Sequence, residues 1–162
     1  MPASNLWRKG GGSFANLDST ELFRALERLE QAGADVAAET MPVLAEILVS
    51  SVHEVFEREG AVAGRPRWPE LAESTKRKRA KRQASGVFKI LQDTGILAGS
   101  IMPHADQAVA EAFTNVPYAG YHISDAPRRI IPLRDFTDID FESAQREAID
   151  VILAQVLDTA AE

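Results

Sequence analysis

Apolar residues recur at helical spacing in three parts of this chain, and the widest stripe lies in the middle one. From 43 to 56 the apolar set is Val43, Leu44, Ile47, Leu48, Val52, Val55 and Phe56. At roughly 100° per residue these positions cover more than half of a helix circumference. Glu46, Ser50, His53 and Glu57 are left on the polar side. A stripe that wide predicts a central helix with neighbours on more than one flank. The helical stretch reads from about 34 to 59, and Gly60 stops it. Pro42 either restarts the helix as a first-turn residue or kinks it.

The other two stripes lie toward the ends. Asp18 and Glu21 have capping-box spacing, and Leu22, Leu26 and Leu29 then repeat on one face up to Gly33. At the other end Asp140 is placed to cap a helix whose first turn holds Glu142. Its face reads Phe141, Ile149, Ile152, Leu153 and Val156, while Val151 points almost the opposite way. Val151 is therefore either an ordinary exposed valine or a subunit contact. Residues 1–16 read as a flexible arm, because Gly10-Gly11-Gly12 is soft and Leu6, Trp7 and Phe14 have no period. Trp7 either packs back on its own domain or docks on a neighbour.

Between the helices the pattern shortens. Residues 60–73 hold two Gly and two Pro and read as a loop, followed by Lys76, Arg77, Lys78, Arg79, Lys81 and Arg82. On a helix those six charges point to every side, which excludes a core helix and predicts a solvated face or one lying against acid. Asp93 or Thr94 would cap a short helix through Leu97. Extended stretches near 100–104 and 108–114 meet at a turn, 115–121 reads as a turn or short helix, and 128–133 as a third strand. The whole predicts an α+β fold, with helices on a small, mainly antiparallel sheet, a C-terminal amphipathic helix and one domain over 17–162.

Composition narrows the function. A chain of 162 residues with 45% hydrophobic and 26% charged residues can bury an ordinary core. There is no cysteine, which removes disulfides, thiolate metal sites and thiol nucleophiles together. The first sixteen residues lack the apolar core of a secretory signal, and there is no run of about 18 apolar residues. The expectation is a soluble protein of the cytoplasm in which it is made, with no membrane span. Net charge is −6, unevenly spread. Residues 65–82 carry eight basic side chains against two acids, a net of +6, which leaves −12 elsewhere. Such a segment steers toward an acidic partner or another copy of the chain.

No constellation for catalysis emerges. His53 falls on a polar helix face, and His104 and His122 stand apart from clustered carboxylates, a poor metal signature. Asp138 and Asp140 read as helix-start residues rather than an acid/base pair. There is no HExxH, GxSxG, P-loop or dinucleotide-binding pattern. The expectation is a non-enzyme without cofactor or metal. The basic run suggests nucleic acid weakly: no aromatic residue interleaves it, and the acidic remainder opposes a duplex.

Four blocks in the middle of the chain carry a resemblance. They are Trp68-Pro69-x-Leu71-x-x-Ser74-Thr75-x-x-x-Lys78; Ile90-Leu91-x-Asp93-Thr94-Gly95-x-Leu97-x-x-Ser100-Ile101; Asn115-x-x-Tyr118-Ala119-x-x-His122; and Ile131-Pro132-x-Arg134-x-Phe136. Their order and spacing resemble the phage virion morphogenesis family, the tail-completion proteins of Mu-like and P2-like contractile-tailed phages, from about 22 to 157. The family often follows its histidine with Gln-Phe-Gly, where this chain has Ile123-Ser124-Asp125. Its Pro-Ala-Arg-Pro-Phe segment stands here as Pro132-Leu133-Arg134-Asp135-Phe136.

The resemblance implies tail completion or head–tail joining by contact with other tail or connector proteins. It also implies a place at the tail or neck of the virion. Rotational symmetry of tails adds the expectation of a homo-oligomer, in the form of a ring. Within the blocks, Trp68 and Tyr118 are amphipathic anchors for a core or an interface. Gly95 serves a tight turn at a helix start, and Arg134 is placed for a structural salt bridge. A nucleic-acid-binding accessory protein using 65–82 is the alternative.

Overall fold

The computed structural model describes residues 12–16, 34–82, 88–106, 109–124 and 131–160. The long amphipathic stretch is one continuous helix, α1 (Ala34–Glu57), running through Pro42. Its exposed side carries Glu46, Ser50, His53 and Glu57, and its buried side Leu44, Leu48, Val52, Val55 and Phe56. It ends where Gly60 N–H bonds back to Val55 O and Gln92 Nε2 donates to Phe56 O. These bonds occupy carbonyls that a helix end leaves open.

Next come α2 (Glu73–Ala80), a single turn α3 (Ile96–Gly99), strands β2 (Met102–Ala105) and β3 (Ala110–Thr114), and the turn α4 (Gly120–Ile123). The chain closes with α5 (Phe141–Ala160). Gly95 takes φ +73° at the start of α3, a left-handed conformation that glycine adopts without strain. It occupies the cap position in place of Asp93 or Thr94. The Thr94 hydroxyl accepts a long bond from Ile96 N–H, 3.4 Å.

The sheet has three antiparallel strands in the order β1-β3-β2, where β1 is Gly12–Asn16. Two expectations are corrected here. The last residues of the segment read as an arm form an edge strand, and residues 131–133 are irregular rather than a third strand. Trp7, the 18–33 helix and residues 128–130 lie outside the described residues. Alternation along β3 turns Ala110, Ala112 and Thr114 inward, and α1 packs on β3 and β2. Two alanines at the centre let the helix approach closely. The other edge, β2, is mostly exposed and blunted by Pro103.

Helix α5 packs on α1, and of the predicted face only Ile152 and Val156 turn inward. Ala144, Ala148 and Ile152 are buried, and Val151 and Val156 pack partly buried against the core. Thr40 Oγ1 on α1 donates to Gln155 Oε1, 2.9 Å. Phe141, Ile149, Leu153 and Leu157 are exposed, Leu157 at 69%. Val151 is therefore an inward residue, and the apolar stripe facing solvent belongs to its neighbours. The α+β class stands as read, with a C-terminal amphipathic helix.

Candidate functional site

The four sequence blocks converge. Residues 68–71 and 132–136 are locked together across more than sixty positions by side chains that reach backbone. Trp68 Nε1 donates to Asp135 O at 3.2 Å. Arg134 Nε and Nη2 donate to Pro69 O at 3.1 and 2.8 Å, and Nη2 also to Glu70 O at 3.0 Å. Beneath this clasp Phe56 stacks on Phe136, centroids 5.3 Å apart, and meets Trp68 edge-on at 5.9 Å. Trp68 is thus a core anchor, its N–H satisfied inside the fold.

A second clamp runs nearby. Arg65 Nη1 donates to Asp138 O and Ile139 O, and its Nη2 pairs with Asp138 Oδ1 at 2.8 Å. The buried carboxylate of Glu59 accepts Ile90 N–H at 2.6 Å through Oε1 and the Arg67 guanidinium through Oε2. Glu59 escaped the sequence reading because it looked like the polar end of a helix. Its φ of 51° and its partner 31 residues away are not visible locally.

On the outer side of the clasp is an open cleft of about 500 Å³. Twelve positions of the four blocks line it, among them Thr94, Leu97, Tyr118, His122, Pro132 and Arg134. Arg79 of α2 joins them. Trp68 and Phe136 form the core beneath, and Gly95 makes the turn that carries Thr94 and Leu97 to the wall.

The expected salt bridge of Arg134 is not made: among the described residues its partners are carbonyl oxygens, and no carboxylate lies within ion-pair distance. Burial, and then the nearby charge of Arg79, push its pKa below the ordinary arginine value.

The basic run is divided by the fold. Arg79 is buried, 7% exposed, and donates from Nη1 to Lys89 O at 2.8 Å. Its Nε lies 3.2 Å from Asp93 Oδ1, within ion-pair reach but off the hydrogen-bond line. Asp93 also takes Arg82 at 2.8 Å. Lys76 pairs with Glu70 at 2.9 Å and Glu73 at 3.0 Å. The hydrogen bond to Glu70, then that to Glu73, raises its pKa, and the Lys76 hydrogen bond lowers that of Glu70. Among the described residues Arg77, Lys78 and Lys81 have no ion pair. A helix without an apolar stripe still buries one residue, Arg79, whose guanidinium is met by a carbonyl and an acid.

No group of three metal-ligating side chains occurs among the described residues. No described helix is long and apolar enough to cross a membrane. His53 is exposed and its Nε2 lies 3.1 Å from Ala98 O.

A model of the phage virion morphogenesis family matches residues 17–158. The chain belongs to this family. The match takes in every described element after β1 except the last two residues of α5, and the four blocks that meet at the clasp and cleft lie inside it. Comparisons with curated proteins and with solved structures return no match. Membership gives the protein a structural or assembly role in phage virion morphogenesis. In this phage virion morphogenesis protein the clasp joins motif residues far apart in sequence: each half satisfies backbone groups of the other.

Proposed function

We infer that this protein completes the tail or prepares the head–tail junction of a phage or prophage particle. It acts through contacts with other tail or connector proteins, and without catalysis. The observation that carries this reading is the family match over 17–158. It is supported by two surface features: the exposed Ile149–Leu153–Leu157 stripe on α5, and Arg77, Lys78 and Lys81 in and just after α2, which have no ion pair among the described residues. Exposed apolar rows beside charge are what a docking partner covers. On this reading the protein works in the host bacterial cytoplasm during assembly and takes its place at the tail or neck. A homo-oligomeric ring accommodates it there, the acidic body of one copy facing the basic helix of the next.

Deletion of the gene from the parent phage or prophage, followed by electron microscopy of the lysate, tests the reading. Separate heads and unfinished tails are expected; normal infectious particles refute it. The nucleic-acid alternative is weakened by the pairing within 65–82. Five of its eight basic residues already meet the chain's own carboxylates: Arg65, Arg67, Lys76, Arg79 and Arg82. A salt-dependent gel shift would restore it.

A further inference from the structure

We propose that the cleft receives an acidic side chain, an aspartate or glutamate carried beside an apolar residue on an extended segment of another virion protein. The assignment rests on the reading of this protein as one that works by protein contact, and it names the chemistry of one such contact.

The cleft floor holds two guanidiniums, Arg79 and Arg134, each 7% exposed. A buried cation is costly unless an anion balances it. Arg134 has no carboxylate partner among the described residues, and its Nη1 makes no hydrogen bond there. Arg79 shares a single acid, Asp93, with Arg82. Of the acids that line the cleft, Glu70 is engaged by Lys76 and Asp93 by Arg79 and Arg82, and among the described residues Arg134 has no acid of its own. A carboxylate is the anion whose two oxygens suit a guanidinium fork.

The walls decide what carries that carboxylate. Leu91, Leu97 and Pro132 make the sides apolar, and Tyr118 stands at the rim, 42% exposed. About 500 Å³ admits two or three side chains, enough for an acid and an apolar neighbour. A nucleic-acid strand fits poorly: its phosphates sit on a backbone too bulky for the recess, and stacking would have Tyr118 alone as an aromatic wall. The Thr94, Ser74 and Thr75 side chains at the edge are suited to the backbone of an extended peptide.

The test is an NMR titration of the full chain, nitrogen-labelled, with acetyl-Leu-Glu-Leu-amide and with its glutamine counterpart. Saturable shifts at Thr94, Leu97 and His122 are expected with the glutamate peptide, with affinity at least about tenfold higher than for the glutamine peptide. Arg134→Gln loosens the clasp, so Tyr118→Glu is the informative variant. It places a carboxylate at the mouth without touching the core, and should abolish the shifts while preserving the spectrum of the fold.

Equal binding of the two peptides, shifts elsewhere, or no shift at millimolar peptide overturns the assignment. So does a Tyr118→Glu protein that binds as before. A single-stranded oligonucleotide that moves the same amides, or shifts that appear with protein concentration alone, assigns the cleft to nucleic acid or to a second copy and also overturns it. A deletion phage with unjoined particles alongside a peptide-blind cleft refutes this assignment and leaves the assembly role standing.

Discussion

Gly60 and Trp68 meet with no room for a methyl group: a Cβ on Gly60 would stand 2.5 Å from Cδ1 and Nε1 of the Trp68 indole. Gly60 also holds φ at +86°, where an L side chain is strained. Trp68 is held from the other side by Phe56 and by its bond to Asp135 O, so the ring has little freedom to retreat. Gly60→Ala should therefore cost about 2–4 kcal/mol, combining backbone strain and overpacking, read as a lower urea midpoint. An unchanged midpoint would mean that the indole moves freely.

Glu59 and Arg67 form an ion pair whose two ends differ in consequence. Glu59→Ala leaves the Ile90 N–H without its acceptor in the interior and should cost about 2–3 kcal/mol. Arg67 is largely exposed, so Arg67→Ala should cost no more than about 1 kcal/mol. Denaturant unfolding of the two variants checks the asymmetry. Equal costs would show that the charge pair, rather than the backbone bond, matters.

Reversal of the basic run divides at Arg79. Changing Arg77, Lys78 and Lys81 together to glutamate should leave the circular dichroism spectrum and Tm near those of the parent and lower the yield of joined particles. Arg79→Glu should unfold the neighbourhood of Lys89 and Asp93, because it sets a buried acid against both a carbonyl and a carboxylate. Reversing 76–82 as a block would confound the two effects. Normal phage yield from the triple variant would remove α2 from the assembly contacts.

On α5, Leu153→Asp should be nearly silent in thermal unfolding and should impair assembly, since Leu153 is exposed. Ala148→Leu is the converse. It forces a large side chain between α5 and α1 and should cost about 1–3 kcal/mol. Thermal unfolding combined with particle counts separates the two faces. A destabilised Leu153→Asp protein would contradict the orientation of the helix.

Asp140 accepts Ser143 N–H at 3.1 Å and the Ser143 hydroxyl at 2.9 Å. The backbone bond, then the hydroxyl bond, hold its pKa below the ordinary 3.8. A carboxylate with a depressed folded pKa stabilises the fold above its unfolded pKa, and that contribution is lost as pH falls through the folded value. Asp140→Asn should therefore lower Tm slightly at neutral pH and make no difference at a pH well below 3.8. A difference that grows on acidification would reverse the sign and exclude the cap.

The local elements were legible in the sequence for reasons that stay local. The seven-residue apolar set fixes which side of α1 is wet because helical period needs no partner. Gly60 and Gly95 announce chain reversals because few other residues tolerate their φ. The order and spacing of the blocks carried the family resemblance, but not that the segments meet or that Arg134 binds the carbonyls of 69 and 70. Tertiary packing alone decided which cations are spent and which way α5 turns. Six basic residues within seven positions look equivalent until Asp93 and Lys89, folded back from the next segment, claim Arg79. The large residues of α5 define an apolar face, yet Ala144 and Ala148 are buried with Ile152 while Phe141, Ile149 and Leu153 stay exposed. Small side chains let two helices approach closely, and the Thr40–Gln155 bond holds that rotation. Burial depends on what the chain brings opposite a residue, and that information is spread over the whole fold.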